Sequence, residues 1–320
     1  MGKGKAGKKT SLKAALSSQQ SRLKKKEEAL KAAQLSEKTK NIQSKGKGKA
    51  LPPRPTVPFT AADRILLVGE GDFSFARALV QDPPSPLQFL PPGNVTATAY
   101  DTEEECYRKY LGASEIVSFL RGKGVEVLFS VDATKLEKCS PLKGRRWDKI
   151  VWNFPHAGKG ITDQDRNILS NQVLILGFLR SAAGFLATGP VPVVMRPRKR
   201  KQSDDEDEED AAEGDSGEEG DNDGLGIAKA RGTILITLRN VTPYTLWDVP
   251  KLAKNPPPSR VASDKPNPRY TQLRSFVFHR HVWNGYEHRM TKGERAHGQG
   301  KTGEGGEDRT WEFCLKDNTS

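Results

Sequence analysis

Residues 64–80 read RILLVGEGDFSFARALV and predict a buried strand, a tight turn and a helix, in that order. The apolar run Arg64–Val68 ends at Gly69 and Gly71, and Phe73–Val80 has the apolar spacing of a short helix. A strand and a helix joined by a glycine turn are the repeating unit of alternating α/β folds. This stretch therefore predicts an α/β protein whose first turn lies at the carboxyl end of a buried strand.

The same alternation continues along the chain. We expect five further strands, at Val95–Tyr100, Val125–Val131, Lys149–Trp152, Thr233–Leu238 and Ser275–Val282. We expect further helices at Glu103–Leu120, preceded by a Thr102/Glu105 capping box, and at Ile168–Leu186. This order predicts a doubly wound, mainly parallel sheet with helices on both faces.

Charge is unevenly distributed along the 320 residues, which carry a formal net charge of +12. Residues 1–50 contain 15 Lys or Arg against 3 Asp or Glu, whereas residues 203–223 contain 13 acidic residues and no basic ones. We expect a disordered basic tail over residues 1–60, a domain over 61–292 with a low-complexity charged insert at 196–228, and a polar tail over 293–320. The basic tail and basic body favour a polyanionic partner, and nucleic acid fits best.

Several classes of protein are excluded by simple patterns. The N-terminal lysines are not followed by the apolar stretch of a signal peptide, and the longest apolar run, Val173–Leu179, is too short to span a bilayer. Cys106, Cys139 and Cys314 lack the paired spacing of a disulfide framework or a zinc site. We expect an intracellular monomer that binds neither a metal nor a membrane.

Acidic residues follow the first three strands, at the edge where doubly wound sheets bind ligands. Glu70 and Asp72 in the glycine turn put negative charge where the pyrophosphate of a dinucleotide would lie. They favour a cationic or zwitterionic ligand instead, and S-adenosylmethionine carries both a sulfonium and an ammonium. Asp101 is a candidate acceptor for two ribose hydroxyls, and Asp132 for an adenine amino group, with Ala133 leaving room for the ring.

The fourth strand ends in Asn153, Phe154, Pro155 and His156, which combine an amide, an aromatic face, a rigid turn and an imidazole. An amide and a stacked aromatic ring can hold a planar base against a methyl donor, and His156 can orient a carbonyl or help to remove a proton. An ordinary turn is the alternative interpretation. If the fourth strand lies beside the first, this tetrapeptide faces the glycine turn.

Together these segments resemble the Rossmann-like domain of the fungal and eukaryotic large-subunit ribosomal RNA uridine-N3 methyltransferases. The resemblance covers residues 64–292 and is carried by ILLVGEGDFSF at 65–75, AYD at 99–101, VDAT at 131–134, WDKIVWNFPH at 147–156 and YEHR at 286–289. It implies a class I, S-adenosylmethionine-dependent enzyme that methylates N3 of one uridine in ribosomal RNA in the nucleolus. It also implies that residues 153–156 form the reacting centre, that Gly69, Glu70, Gly71 and Asp72 form the donor-binding turn, and that Asp101 and Asp132 hold the ribose and the adenine. Phe73 and Ala133 are further candidates for contact with the donor.

Basic and aromatic residues late in the chain are candidates for contact with ribosomal RNA or pre-ribosomal particles. They are Tyr244, Trp247, Tyr286, His288 and Arg289. The alternative is that these aromatic rings pack under the last strand. The run Arg196–Lys201 resembles a nuclear import signal, which favours the nucleus and nucleolus.

Two other functions remain open at this point. A methyltransferase acting on a protein or a small molecule would use the same donor pocket, but the basic body argues against it. A non-catalytic RNA-binding ribosome-assembly factor is disfavoured by the acidic residues at positions 70, 72, 101 and 132. The motifs leave open which uridine is modified and which group accepts the N3 proton.

Overall fold

A computed structural model describes residues 54–158, 160–192, 229–258, 266–290 and 306–317. The strands are β1 Ile65–Leu67, β2 Val95–Thr98, β3 Glu126–Leu128, β4 Lys149–Asn153, β5 Thr233–Arg239, β6 Tyr270–Val277 and β7 Asp308–Leu315. They form one sheet in the order β3-β2-β1-β4-β5-β7-β6. All neighbours from β3 to β5 pair in parallel, whereas β7 is antiparallel to both β5 and β6.

Helices cover both faces of this sheet. They are α1 Ser74–Val80, α2 Glu103–Lys109, α3 Ala113–Lys123, α4 Gln164–Ala182 and α5 Val249–Lys254. Alternate residues of β1 enter two separate apolar clusters: Leu67 packs with residues of α1 to α3, and Leu66 packs with residues of α4 and α5. This arrangement confirms the predicted Rossmann-like, doubly wound α/β fold.

The helix predicted over Glu103–Leu120 begins as expected but is interrupted. Thr102 Oγ1 accepts a hydrogen bond from Glu105 N at 3.2 Å, and Glu105 Oε2 accepts one from Thr102 N at 3.2 Å, which confirms the capping box. The chain then leaves the helical conformation at Tyr110, whose ring is buried, and Gly112 adopts a φ of 81° before α3 begins. A single helix was therefore the wrong prediction: the chain forms two helices separated at Tyr110–Gly112.

The edge of the sheet also differs from the prediction. Strand β6 lies at Tyr270–Val277 instead of Ser275–Val282, and Asp308–Leu315, expected to belong to a polar tail, forms β7. The sequence did not predict this strand because its polar side chains resemble those of a tail. One of them, Glu312, is nevertheless buried within the sheet. Burial opposes its charge, but Lys149 and Arg274, with nitrogens at 2.7 and 2.6 Å, outweigh that cost and lower the pKa of Glu312.

One helix combines unusual length with apolar composition. Residues Gln164–Phe185, which are α4 and the short turn after it, are long and apolar enough to cross a membrane by these two criteria alone. In the fold, α4 packs on the sheet through Ile175, Phe178, Leu179 and Ala182. This packing buries about a third of the apolar window, and Leu169 and Val173 of the same helix are exposed.

Some predicted features lie outside the described residues. These are residues 1–53 of the basic tail, the charged insert at 196–228 with its import-like run, residues 291–305, and residues 318–320 of the polar tail.

Candidate active site

The carboxyl ends of β1 to β4 open into one cleft of about 1350 Å³. Strand β4 pairs directly with β1, Ile65 opposite Lys149, so the predicted adjacency of the two strands is confirmed. Most residues proposed for the donor and the reacting centre line this cleft, as do three of those proposed for RNA contact: Gly69, Glu70, Gly71, Asp72, Asp101, Asp132, Ala133, Asn153, Phe154, Pro155, His156, Tyr286, His288 and Arg289. Within the described ranges, no group of three or more His, Cys, Asp or Glu side chains could hold a metal ion.

The turn after β1 requires glycine at its first position. Gly69 has a φ of 68°, and a Cβ there would lie 2.6 Å from Trp152 Nε1. Trp152 cannot easily move, because its ring packs edge-on against Phe178 at 4.6 Å between centroids. Glu70 N also donates to Thr98 O at 2.8 Å, which ties the turn to β2.

The charge of this turn differs from the sequence-based expectation. Asp72 Oδ1 accepts from Ser74 N at 3.0 Å, and its Oδ2 lies 3.0 Å from Arg289 Nε. Burial and then the charge of Asp72 raise the pKa of Glu70 to about 8, although Glu70 Oε2 accepts from Ala76 N at 3.3 Å. At neutral pH the turn therefore presents one carboxylate paired with Arg289 and one mainly protonated carboxyl. The sequence had suggested negative charge from both residues.

The acidic residues after β2 and β3 have partners of their own. Asp101 Oδ1 lies 2.5 Å from Lys109 Nζ. Asp132 Oδ1 accepts from Thr134 N at 2.9 Å and from Thr134 Oγ1 at 2.7 Å, which caps the short helical turn that follows β3. Burial opposes the charge of Asp132, but the hydrogen bonds from Thr134 and the charge of Lys135 outweigh it and lower its pKa.

Asn153, the last residue of β4, has an unsatisfied amide. Its Oδ1 and Nδ2 are both buried and make no hydrogen bond to any described residue. Leaving a buried polar group unpaired costs about 1–3 kcal/mol, so such groups in native proteins call for an explanation. Asn153 also lines the cleft, so a ligand there that both donates and accepts hydrogen bonds would satisfy the amide once the side chain turned towards it.

Phe154 follows with a φ of 52°, and its ring is held by its neighbours. The His288 ring lies 4.3 Å from it between centroids, and the guanidinium carbon of Arg280 lies 5.1 Å from its centroid. Arg280 Nε is itself fixed by Asp308 Oδ2 at 2.6 Å. Burial, followed by the charges of Arg280 and Arg239, lowers the pKa of His288 to about 4, so His288 is neutral at pH 7.

His156 is exposed at the mouth of the cleft, and its tautomer follows from a backbone contact. Its Nδ1 accepts a hydrogen bond from Gly158 N at 2.8 Å. A neutral imidazole that accepts at Nδ1 carries its proton on Nε2.

Two asparagines of α4 hold this loop in place, and sequence reasoning missed both. The fully buried Asn171 accepts from Ala157 N at 2.8 Å through Oδ1, and its Nδ2 donates to Asn167 O and Oδ1, both at 2.9 Å. Asn167 Nδ2 in turn donates to Ile161 O at 3.2 Å. The sequence signal for such a role was the presence of polar Asn171 on the apolar side of the helix predicted over Ile168–Leu186.

Three proposed site residues, Phe73, Tyr244 and Trp247, lie outside the cleft. Phe73 is fully buried and packs edge-on against Phe129 at 5.4 Å between centroids. Trp247 is also fully buried, beneath Tyr244 at 5.1 Å and His156 at 5.8 Å. The Trp247 ring therefore belongs to the apolar core on the side of the sheet that α4 and α5 cover.

The strand order, the antiparallel β7 between β5 and β6, and the polar cleft at the ends of β1 to β4 define a Rossmann-like methyltransferase. The chain belongs to the BMT5-like rRNA (uridine-N3-)-methyltransferase family, whose family model matches residues 66–290. It is accordingly an rRNA uridine-N3 methyltransferase, as the sequence motifs predicted.

Individual proteins are similar to this chain over different lengths. The chain is 28% identical over 259 residues to the 25S rRNA (uridine(2634)-N(3))-methyltransferase of Saccharomyces cerevisiae, a match that covers 75% of this chain and 69% of that protein. It is 35% identical over 131 residues to an uncharacterized protein of Arabidopsis thaliana, covering 40% of this chain and 60% of that protein. It is 37% identical over 133 residues to a ferredoxin-fold anticodon-binding domain-containing protein 1 homolog of Mus musculus, covering 41% of this chain and 20% of that protein.

Proposed function

We propose that this protein uses S-adenosylmethionine to methylate N3 of a single uridine in large-subunit ribosomal RNA, within pre-ribosomal particles of the nucleolus. The observation that carries the proposal is the unpaired amide of Asn153, which is buried in the cleft where β4 runs beside β1. The nucleolar assignment rests on the substrate and on the basic segments of the sequence.

The cleft suits the donor in chemistry and in size. The glycine turn would hold the donor together with Asp101 and Asp132, and Ala133 leaves space beside Asp132. When bound, S-adenosylmethionine supplies a methyl group on a positively charged sulfur, which is an electrophile. The remaining work of binding and orientation falls to the residues of the chain.

Uridine N3 lies on the pairing edge of the base, so the nucleotide must be unpaired or turned out of its helix before transfer. In the cleft, the amide of Asn153, turned towards the base, donates to one carbonyl of the uracil, and His156 at the mouth of the cleft helps to orient the base. The exposed side of the half-buried Phe154 ring supports the plane of the base. These contacts hold the base while excluding the water that would compete for its polar edge.

The N3 proton must leave before the nitrogen lone pair can attack. His156 Nδ1 is already engaged with Gly158 N, so we assign His156 to orientation of the base. Glu70 is the better acceptor, because it lines the cleft and its pKa of about 8 lies near the working pH. With both substrates saturating, Glu70→Gln is then expected to lower kcat by about 100-fold, within the usual range for a general base.

Nucleoside analysis of ribosomal RNA tests the proposed function directly. Large-subunit RNA from cells that lack the protein should lose N3-methyluridine at one position, and wild-type protein should restore it. Asn153→Ala should fail to restore it, whereas Asn255→Ala, which changes an exposed asparagine outside the cleft, should succeed. N3-methyluridine that persists at full level without the protein would refute the proposal.

A further inference from the structure

The segment Tyr286–Met290, which we call the strap, is fastened across the glycine turn. Ser74 Oγ donates to Glu287 O at 3.0 Å, and Glu287 N donates back to Ser74 Oγ at 3.1 Å. At the far end of the strap, Tyr110 OH donates to Met290 O at 3.1 Å. These bonds join residues about 200 positions apart, so the strap is built against the turn by the tertiary fold.

Charged side chains of the strap meet the turn directly. Arg289 Nε lies 3.0 Å from Asp72 Oδ2, and Arg289 Nη2 lies 2.6 Å from Glu287 Oε2. A Cβ added to Gly71 would lie 3.5 Å from Arg289 Cβ, so the strap passes over the turn without a gap. Both Glu287 and Arg289 line the cleft.

The order of the strands indicates which end of a bound nucleoside-containing ligand lies next to the strap. A nucleoside held by Asp132 and Asp101 lies beyond β3 and β2, and β1 is the next strand. The other end of such a ligand extends towards the turn after β1, which the strap covers. The methyl donor ends there in an amino acid, with one carboxylate and one ammonium.

We propose that the strap is a wall of the donor site, with Arg289 binding the carboxylate and Glu287 the ammonium of the donor's amino-acid end. An arginine and a glutamate side by side complement a zwitterion, and hydrogen bonds between charged groups are the stronger ones. The inference rests on the proposed use of S-adenosylmethionine. It reassigns Arg289 from the RNA contact that the sequence favoured to recognition of the donor.

Two ligands that differ only at the amino-acid end test this assignment by calorimetry with the full-length protein. S-adenosylhomocysteine carries the zwitterion, and 5′-methylthioadenosine lacks it. Arg289→Gln should weaken binding of S-adenosylhomocysteine about 10- to 100-fold while changing that of 5′-methylthioadenosine by less than about threefold. Glu287→Gln, at a side chain that is 62% exposed and safe to replace, should show the same selectivity with a smaller loss.

Arg309→Gln is the matched control, because Arg309 also pairs with a glutamate, is 29% exposed against 28% for Arg289, and lies outside the cleft. It should leave both affinities unchanged. An equal loss of both ligands in Arg289→Gln would mean a structural role only, and loss of RNA affinity with donor affinity intact would restore the RNA assignment; either result overturns the inference. Wild-type protein that binds neither ligand would overturn the proposed function as well, whereas unchanged binding by Arg289→Gln would overturn only the role of the strap.

Discussion

Donor binding should release a proton from Glu70, and Glu70→Gln should abolish that release. Burial and the neighbouring charge of Asp72 raise the pKa of Glu70 to about 8. Nearby positive charge favours the ionised form of a carboxyl, so a sulfonium bound in the cleft lowers this pKa again. Binding of the donor and ionisation of Glu70 are then coupled.

The magnitude follows from the raised pKa. With a pKa of about 8, Glu70 is about nine-tenths protonated in the free protein at pH 7 and about one-tenth protonated at pH 9. If the bound carboxyl is fully ionised, about 0.9 proton leaves per donor bound at pH 7, and donor affinity rises about tenfold from pH 7 to pH 9.

Calorimetry in two buffers with different ionisation enthalpies counts the released protons. The amino group of the donor also titrates in this range, but it does so equally with wild type and with Glu70→Gln and cancels in the difference. Equal proton release by the two proteins, or a wild-type affinity with the same pH dependence as that of the variant, would refute the reasoning.

The pH dependence of the free energy of unfolding gives a second test of the raised pKa of Glu70. The pKa of Glu70 is higher in the folded protein than in the unfolded chain, so its contribution favours folding below about pH 4.5 and is lost as the pH rises to about 8. Over that window the wild type should lose up to about 5 kcal/mol relative to Glu70→Gln in urea unfolding. A stability difference that stays constant with pH would contradict the raised pKa.

Three further substitutions test the geometry. Gly69→Ala should destabilise the protein by about 1–3 kcal/mol in urea unfolding, because its Cβ meets Trp152 at 2.6 Å and the backbone has a positive φ; an unchanged midpoint would contradict this. Asn171→Asp keeps the acceptor for Ala157 N but loses the side-chain NH2 that bonds Asn167. The kcat should therefore fall about tenfold while the affinity for S-adenosylmethionine is unchanged. Full activity would show that the loop needs no such support. Glu312→Ala leaves two cations without their buried partner and should cost about 3–5 kcal/mol of unfolding free energy, whereas a loss below about 1 kcal/mol would mean that water reaches the network.

The parts of the fold that depend on local patterns were predictable. The glycine turn after β1 and the capping box at Thr102 are specified by residues within a few positions of each other, and short apolar runs located β1 to β5. The succession of these elements was enough to predict a doubly wound sheet, since right-handed crossovers leave few other arrangements. The order of the strands then brings their polar ends to one edge.

Other features depended on contacts between distant residues. Strand β7 escaped prediction because buried Glu312 is balanced by Lys149 and Arg274, which are 163 and 38 positions away in the chain. The burial of Trp247 likewise appears in no local pattern.

The sequence by itself determined the fold class, the family and the segments that surround the cleft, because periodicity, glycine turns and short motifs act over neighbouring residues. Only the tertiary structure decided the electrostatics of the site. The charge state of Glu70 follows from burial, and Arg289 reaches Asp72 across 217 positions of chain. Burial and long-range pairing are properties of the packed molecule, and they set which carboxyls are charged and which amide is left for a ligand.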